Sequence, residues 1–309
     1  MSQNKQYAAE ILAILLQSSS KNREKFIGLE GVDVLLQLLS QYRKRDPEKD
    51  SDEEEYVENL FDALVCMVDE ASGKEKFIEA EGIELAQIML KEGKFSKPRA
   101  LRILDHAFGG PSGGASCERL VEVAGLRTIF GMFMKKVRLL LSSLIPTLAH
   151  NQQQESQNIE HLLGIFASLL RLLPGGSAPR IRTLAKFMEK EYEKIEKLIK
   201  LRREYAARVV PVEQAIEKER KSFSQEDQEV MAGEWLSRRF DAGLFSLQVC
   251  HTSLLIWLQL NLYFQTIDVI LAWLIAEDDG AKKKVVALLA DRDEDLSLVR
   301  GTLQGKSFS

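Results

Sequence analysis

One short pattern occurs three times in this chain and constrains its fold more than any other feature. Each copy has a large apolar residue five positions before a glycine, followed by an apolar run of about three helical turns. The copies occupy residues 26–39, 77–90 and 120–133, with glycines at Gly31, Gly82 and Gly125. Glycine tolerates a sharp corner or a close backbone approach. We therefore expect a short helix to end there and a second, buried helix to start at an angle.

A third helix is predicted after each copy. The helical spacing of apolar residues continues at 56–68, 96–108 and 159–173, and a similar stretch at 7–17 precedes the first copy. The glycines lie about 40 to 50 residues apart, close to the roughly 40–47 residues of HEAT and armadillo units. Three helices turned at a glycine make an armadillo repeat.

The sequence thus predicts an all-α fold in two parts. An α-solenoid of armadillo repeats spans residues 1–175, and a C-terminal helical region spans 176–309 after the break PGGSAP. An array that begins with a third helix exposes an apolar face, so we expect this array to be incomplete at its N-terminus.

Composition limits the functions open to the chain. With 309 residues and 45% hydrophobic content it can bury a large core. A net charge of −4 disfavours direct, nonspecific nucleic-acid binding by the whole surface. The three cysteines are scattered and no signal peptide opens the chain, which fits a reducing compartment.

Several stretches between the helices are predicted to be connections. Residues 40–55 are densely charged and contain a proline, so an exposed, solvated loop is favoured over a partner-docking loop. The glycine-rich stretch 109–114 and the Gly-Lys pair at Lys74 lack a phosphate-loop context, and both are interpreted as turns between repeats. Residues 137–157 are either a hydrophobic linker packed on the solenoid or a segment wrongly included by a gene model.

The C-terminal region is predicted to begin with a long amphipathic helix, 180–221. A coiled-coil-like stripe is formed by Ile181, Ala185, Met188, Tyr192, Ile195, Ile199, Ala206 and Val209, with Arg202 in one slot. This stretch holds thirteen Lys or Arg against eight Asp or Glu. RNA contact through it is the alternative function, but a solvated helix is favoured because the charges are interspersed.

The apolar stretch from Cys250 to Ala276 is long enough to raise the question of a membrane span. Polar residues interrupt it, each of them costly in lipid: Gln259, Asn261, Gln265 and Asp268. We expect a buried core helix or pair instead, with no membrane partner. From Glu277 onward the sequence is charged and is predicted to be only weakly helical.

The candidate binding surface lies on the third helices, which line the concave groove of armadillo solenoids. One face of 56–68 is apolar, whereas the opposite face is acidic. Carboxylates there can accept hydrogen bonds from Lys or Arg of an extended basic segment. The predicted peptide-binding residues are Glu58, Asn59, Asp62, Asp69 and Asp105. An ordinary solvated helix face is the alternative.

No catalytic, metal-binding or cofactor-binding constellation is found in the sequence. The four histidines are far apart, no Cys-x-x-Cys occurs, and no serine sits in a strand-to-helix elbow. We therefore predict a non-enzymatic protein without a cofactor.

Seven ordered segments carry a more specific resemblance: EILAILLQ (10–17), GVDVLLQLL (31–39), ENLFDAL (58–64), LDHA (104–107), GLRTIF (125–130), FMK (133–135) and RRFDAGLF (238–245). With them the chain resembles the beta-catenin-like family of nuclear, spliceosome-associated armadillo proteins, over the later repeats and the C-terminal region. Residues 137–157 and the stretch after Cys250 depart from the family pattern.

The resemblance implies a nuclear, non-enzymatic adaptor of the splicing machinery. It implies association with the complex built on pre-mRNA-processing factor nineteen and the cell-division-cycle-five-like protein, through basic nuclear-localisation-type segments of splicing factors. Vertebrate members of the family also bind activation-induced deaminase. The resemblance supplies no contact residues, so the five peptide-binding residues rest on the charge pattern alone.

Overall fold

The regular structure of this chain is helical. The computed structural model describes residues 3–135, 146–239, 262–292 and 294, and no β-strand occurs in them. The predicted all-α fold is therefore confirmed. The chain divides into two compact units, Met1–Lys186 and Phe187–Ser309, which are described separately below.

The first unit is built from helical triplets. Three triplets follow one another along the chain, and a single helix precedes the first of them. The helices are α1 (Gln3–Ser18); α2 (Ser20–Gly28), α3 (Gly31–Ser40) and α4 (Asp52–Val68); α5 (Ala71–Glu79), α6 (Gly82–Glu92) and α7 (Ser96–Phe108); α8 (Gly114–Glu122), α9 (Leu126–Phe133) and α10 (Pro146–Leu172). We call α1, α4, α7 and α10 the third-position helices.

The predicted bends occur in all three triplets, but the glycine is not the residue with unusual backbone dihedrals. The residue before it adopts the left-handed conformation, with φ of 57° at Glu30, 55° at Glu81 and 58° at Ala124. L-residues rarely adopt this conformation because it crowds Cβ against the backbone. The tight reversal between first and second helices is thus made one position earlier than predicted.

The glycines are required for close packing. A Cβ built on Gly31 would lie closer than 3.0 Å to the ring of Phe26, and one on Gly82 would meet Phe77 in the same way. Gly125 stands in the same relation to Leu120. The apolar residue five positions earlier therefore folds back onto the glycine, which explains why the two recur together.

The third-position helices pack side by side and carry much of the core. Helix α4 packs between α1 and α7, and α7 packs between α4 and α10. The predicted apolar face of α4 is buried: Val57, Leu60, Phe61, Leu64 and Val68. On α1 the apolar side chains of Tyr7, Ile11 and Ile14 are exposed.

The charged stretch 40–55 is more ordered than predicted. Its acidic end forms the first turn of α4, where Ser51 accepts the Glu54 N–H at 3.3 Å and negative charge complements the helix dipole. The remaining loop is exposed in part, yet Tyr42 is buried and donates its hydroxyl hydrogen to Glu53 at 2.9 Å. Asp46 also accepts the Phe95 N–H at 3.1 Å, so the loop is anchored to the next repeat.

Of the two glycine stretches interpreted as turns, one interpretation is confirmed and the other is wrong. Pro111–Gly113 forms a 3₁₀ turn between α7 and α8, next to Gly110 at φ 68°. Lys74, in contrast, lies within helix α5 and is buried. Apolar contacts of this short helix outweigh the helix-breaking signal of its internal glycine.

The second unit contains most of a long helix and three further helices: α11 (Ala178–Ser222), α12 (Gln225–Arg239), α13 (Leu262–Glu277) and α14 (Asp279–Ala290). Helix α11 begins in the first unit and is not continuous, because Glu189, Lys190, Glu191 and Tyr192 have non-helical dihedrals. This corrects the predicted single long helix.

The predicted stripe of α11 is buried only after this interruption. Ile195 and Ile199 are buried, whereas Ile181 is 57% exposed and Ala185 is also exposed. The break in the helix resets the phase of the side chains, so one stripe does not run through both parts.

Helix α13 confirms a buried core helix for the part of the apolar stretch that is described. Asp268, one of its polar interruptions, is buried and pairs with Arg202 at 2.7 Å. No helix in the described residues is both long and apolar enough to cross a bilayer. The predictions for 250–261 and for 137–145 fall outside the described residues, while α10 begins at Pro146.

The prediction of weak helix after Glu277 is wrong. Helix α14 begins there, and its cap residue Asp278 accepts the Ala281 N–H at 2.6 Å. An aspartate at this position satisfies a helix N–H that has no partner within the helix, a signal that the charge-based prediction overlooked.

Candidate peptide-binding surface

The predicted binding residues lie on adjacent third-position helices. Glu58, Asn59 and Asp62 belong to α4, Asp69 follows its last residue, and Asp105 belongs to α7. Glu58 is 38% and Asp62 is 29% exposed in the side chain. Since α4 and α7 pack together, the structure brings these residues onto one surface, which we call the third-helix layer.

Each of the four carboxylates faces a basic side chain of the following third-position helix. The pairs are Glu58–Arg99, Asp62–Arg102, Asp69–His106 and Asp105–His161. We call this set the charge ladder. The predicted acidic strip is therefore a row of carboxylates that each have a basic partner. The two arginines make the surface less negative than the acidic residues alone suggest.

The Glu58–Arg99 pair is held most firmly. Arg99 donates through Nε to Glu58 at 2.7 Å and through a second nitrogen to the other carboxylate oxygen, a bidentate arrangement. The same guanidinium donates to the Phe95 carbonyl at 2.5 Å and stacks on the Phe95 ring, 3.5 Å from its centroid. Burial lowers the pKa of Arg99 to about 10, which still leaves it charged at neutral pH.

The Asp62–Arg102 pair is looser. The closest ion-pair contact joins Nη2 of Arg102 to Oδ1 of Asp62 at 2.8 Å, and Arg102 is 32% exposed. Solvent-accessible pairs of this kind contribute only about 0.2–1 kcal/mol. A cation from another chain can therefore compete for Asp62 at small cost.

The other two pairs join a carboxylate to a histidine ring. Asp69 lies 2.8 Å from Nδ1 of His106, and Asp105 lies 2.9 Å from Nδ1 of His161. Gly164 makes the second contact possible, because a Cβ there would overlap the Asp105 carboxylate. His106 and His161 thus hold these two carboxylates in place.

Asn59 differs from the acidic residues. It is half-buried, and no hydrogen bond of its side chain is seen within the described part of the chain. An amide offers two donors and one acceptor oxygen, so it can pair with the main chain of an extended peptide.

The basic partners of these carboxylates were not predicted, although their sequence separations indicate them. The paired residues are 41 positions apart for Glu58 and Arg99, and 37 apart for Asp69 and His106. These separations are near one repeat length. Opposite charges one repeat apart on the same helix face therefore predict a pair between neighbouring repeats.

The described residues contain no group of three or more His, Cys, Asp or Glu side chains that could hold a metal ion. Cys66 and Cys117 are buried, and burial raises the pKa of Cys117 to about 12. A thiol with such a pKa is a poor nucleophile.

Comparison with known proteins agrees with this architecture. The family model described as catenin-beta-like, Arm-motif containing nuclear matches residues 1–263 and 260–304. The chain belongs to this family. The resemblance and the armadillo solenoid predicted from the sequence are thereby confirmed.

Named relatives of this catenin-beta-like chain come from animals and from yeast. Beta-catenin-like protein 1 of Rattus norvegicus and that of Homo sapiens are each 40% identical to it over 252 residues, 80% of this chain and 43% of the relative. The beta-catenin-like protein 1 homolog of Schizosaccharomyces pombe is 35% identical over 291 residues, 94% of this chain and 45% of the relative. The chain thus spans less than half the length of these relatives.

Proposed function

We propose that this catenin-beta-like chain is a non-enzymatic adaptor of the nuclear pre-mRNA splicing machinery. Membership of an Arm-motif family supports a protein-interaction scaffold, and the family description as nuclear supports action in the nucleus. The proposed partners are splicing-factor proteins with basic, nuclear-localisation-like segments. They belong to the complex built on pre-mRNA-processing factor nineteen and include the cell-division-cycle-five-like protein.

The observation that carries this proposal is the row of half-exposed carboxylates on neighbouring repeats. Asp62 and Asp105 lie on adjacent third-position helices, so an extended segment that crosses both helices meets a carboxylate on each. Lys and Arg side chains of that segment form charge-assisted hydrogen bonds with them. Asn59 supplies a main-chain contact between such positions, and Asp69 extends the row.

The test is a binding titration of the chain against a labelled basic peptide and a peptide of the same length without charge. Asp62→Asn and Asp105→Asn remove negative charge but keep the size of the side chain, so Arg102 and His161 do not face a new cation. The double variant should weaken basic-peptide binding at least fivefold with an unchanged melting temperature.

Asp33→Asn is the matched control. Asp33 is an exposed carboxylate of the same array, in the first turn of α3, outside the third-helix layer. Equal affinities for wild type, the double variant and this control would refute the proposed site.

The alternative of RNA contact through 180–221 gains no support from the second unit. Arg202 pairs with Asp268, Arg203 contacts Glu294 at 3.1 Å, and Lys194 lies 3.2 Å from Glu189. These pairs occupy three of the cations that phosphate would need. A filter-binding titration without salt-dependent RNA affinity removes this alternative.

A further inference from the structure

We propose that Arg102 is a built-in competitor for Asp62, and that it lowers the affinity of the third-helix layer for basic segments. This inference rests on the proposed function, because it concerns how a basic partner reaches the same carboxylates. It assigns to Arg102 a role in setting affinity that the acidic residues cannot supply alone.

The first step is that Arg102 pairs with Asp62 in the same way as a basic side chain of a ligand would. Its guanidinium comes from the neighbouring repeat and already contacts Asp62 at 2.8 Å. A basic residue of a partner must displace this group before it can pair with the same carboxylate. The internal pair therefore lowers the apparent affinity of every basic segment for this position.

The second step is the contrast between the two arginines of α7. Arg99 is 18% exposed, binds both oxygens of Glu58 and is fixed by Phe95. Arg102 is more exposed, at 32%, and its closest contact with Asp62 is 2.8 Å. Exchange is thus favoured at Asp62, while Glu58 stays bound to its own arginine and acts as part of the fold.

The third step concerns the partner. A guanidinium can offer two parallel N–H groups to a carboxylate, whereas an ammonium is a single, strongly hydrated point charge. An incoming arginine can therefore offer Asp62 two parallel hydrogen bonds, whereas a lysine offers one and must also be dehydrated. Displacing Arg102 costs the same for both, so a preference for arginine comes from the carboxylate and not from the competitor.

The experiment uses the whole chain and two labelled twelve-residue peptides that are identical except that one carries five arginines and the other five lysines. Affinities are measured by fluorescence anisotropy for wild type, Arg102→Gln and Arg102→Lys. Wild type should bind the arginine peptide more tightly. Arg102→Gln should bind both peptides about twofold to fivefold more tightly, the range expected for loss of one exposed pair, and the ratio of the two affinities should stay the same because Arg102 competes with both.

Two comparisons separate competition from a general change in charge. Arg119→Gln removes the same charge from an arginine that pairs with Glu84 and Glu122, outside the third-position helices. It should leave both affinities within the error of wild type. Arg102→Lys keeps the net charge, and its peptide affinities should lie between those of wild type and Arg102→Gln.

The outcomes distinguish this inference from the proposed function. If wild type binds basic peptides and Arg102→Gln binds no more tightly at an unchanged melting temperature, the competition is refuted and the proposed site stands. If Arg119→Gln raises the peptide affinities as much as Arg102→Gln does, the effect comes from net charge and the inference again fails. If neither wild type nor Arg102→Gln binds either peptide, both proposals fall.

Discussion

The Nζ atom of Lys74 lies 2.6 Å from the carbonyl oxygen of His106. It also lies 2.6 Å from the carbonyl oxygen of Val68. These carbonyls belong to the C-terminal ends of α7 and α4, where backbone acceptors lack partners within the helix. One buried cation on α5 therefore caps two helices of the third-helix layer, and it fixes their ends relative to each other.

Replacement of this lysine should destabilise the first unit. Burial lowers the pKa of Lys74, and its side chain supplies two hydrogen bonds to helix ends that methionine cannot replace. We expect Lys74→Met to lower the free energy of unfolding by about 1–3 kcal/mol, measured by urea denaturation. Lys76→Met on the same helix removes an exposed lysine that pairs with Glu79, and it should change stability by less than about 0.5 kcal/mol. Equal stability of the two variants would contradict the capping role.

The close packing at the repeat bends predicts a difference between two glycines. Gly82→Ala places a methyl group against the Phe77 ring, whereas Gly28→Ala meets no heavy atom within 4 Å. We expect the first substitution to cost about 1–3 kcal/mol because the neighbouring ring must shift. The second should be neutral or slightly stabilising. Thermal denaturation of both variants compares them directly, and a Gly82→Ala variant as stable as wild type would show that the ring moves freely.

The left-handed residue before the bend predicts a stabilising substitution. Glu81 is exposed and has φ of 55°, a conformation that costs a side-chain-bearing residue roughly 1 kcal/mol. Glu81→Gly removes this strain and should raise the melting temperature slightly. Glu79→Gly, at the last position of helix α5, should lower the melting temperature, because glycine costs up to about 1 kcal/mol in a helix. A loss of stability in both variants would refute the strain at Glu81.

The buried pair of the second unit predicts non-additive effects. Removal of one partner leaves an uncompensated charge, so Arg202→Met or Asp268→Leu alone should cost about 3–5 kcal/mol. The double variant should recover part of that loss, because neither charge then remains buried. A double-mutant cycle by chemical denaturation measures the recovery. Lys200→Met, which breaks an exposed pair with Glu204, serves as control and should be nearly neutral.

The same pair predicts an unusual dependence on pH. Burial raises the pKa of Asp268 above its ordinary value of 3.8, and the hydrogen bond from Arg202 lowers it only in part. The folded state then holds this proton more tightly than the unfolded chain. Stability contributed by the protonated group is present below the ordinary pKa and is lost as the pH rises through the raised value.

Asp268→Asn removes this titration. Its melting temperature, measured at several pH values from about 4 to 6, should rise more steeply with pH than that of wild type. Parallel curves for the two proteins would show that Asp268 does not titrate in this window.

The repeat architecture could be predicted from the sequence because apolar periodicity and the recurring glycine are strong local signals. The bend geometry could not be assigned in full, since Glu30, Glu81 and Ala124 share no residue type that marks a left-handed conformation. Likewise, no glycine or proline marks the interruption of α11 at 189–192. The local sequence therefore does not predict this interruption of the helix.

The position of the candidate surface could be predicted from the sequence, but the pairing of its carboxylates with basic side chains could not. Helical spacing places Asp62 on a solvent-facing side, which the structure shows. Its partner Arg102 comes from the next repeat, and contacts between repeats depend on how the helices stack. The peptide-binding role of the five residues stays a prediction until binding is measured.

The charge ladder has a consequence for exchanging parts of this protein. Each of its carboxylates has its counter-ion on the next third-position helix. A single repeat transplanted into a foreign solenoid would leave that counter-ion behind and carry unneutralised acids into the new junction. Recombination, in evolution or in the laboratory, is therefore expected to succeed with adjacent repeats moved as a couple.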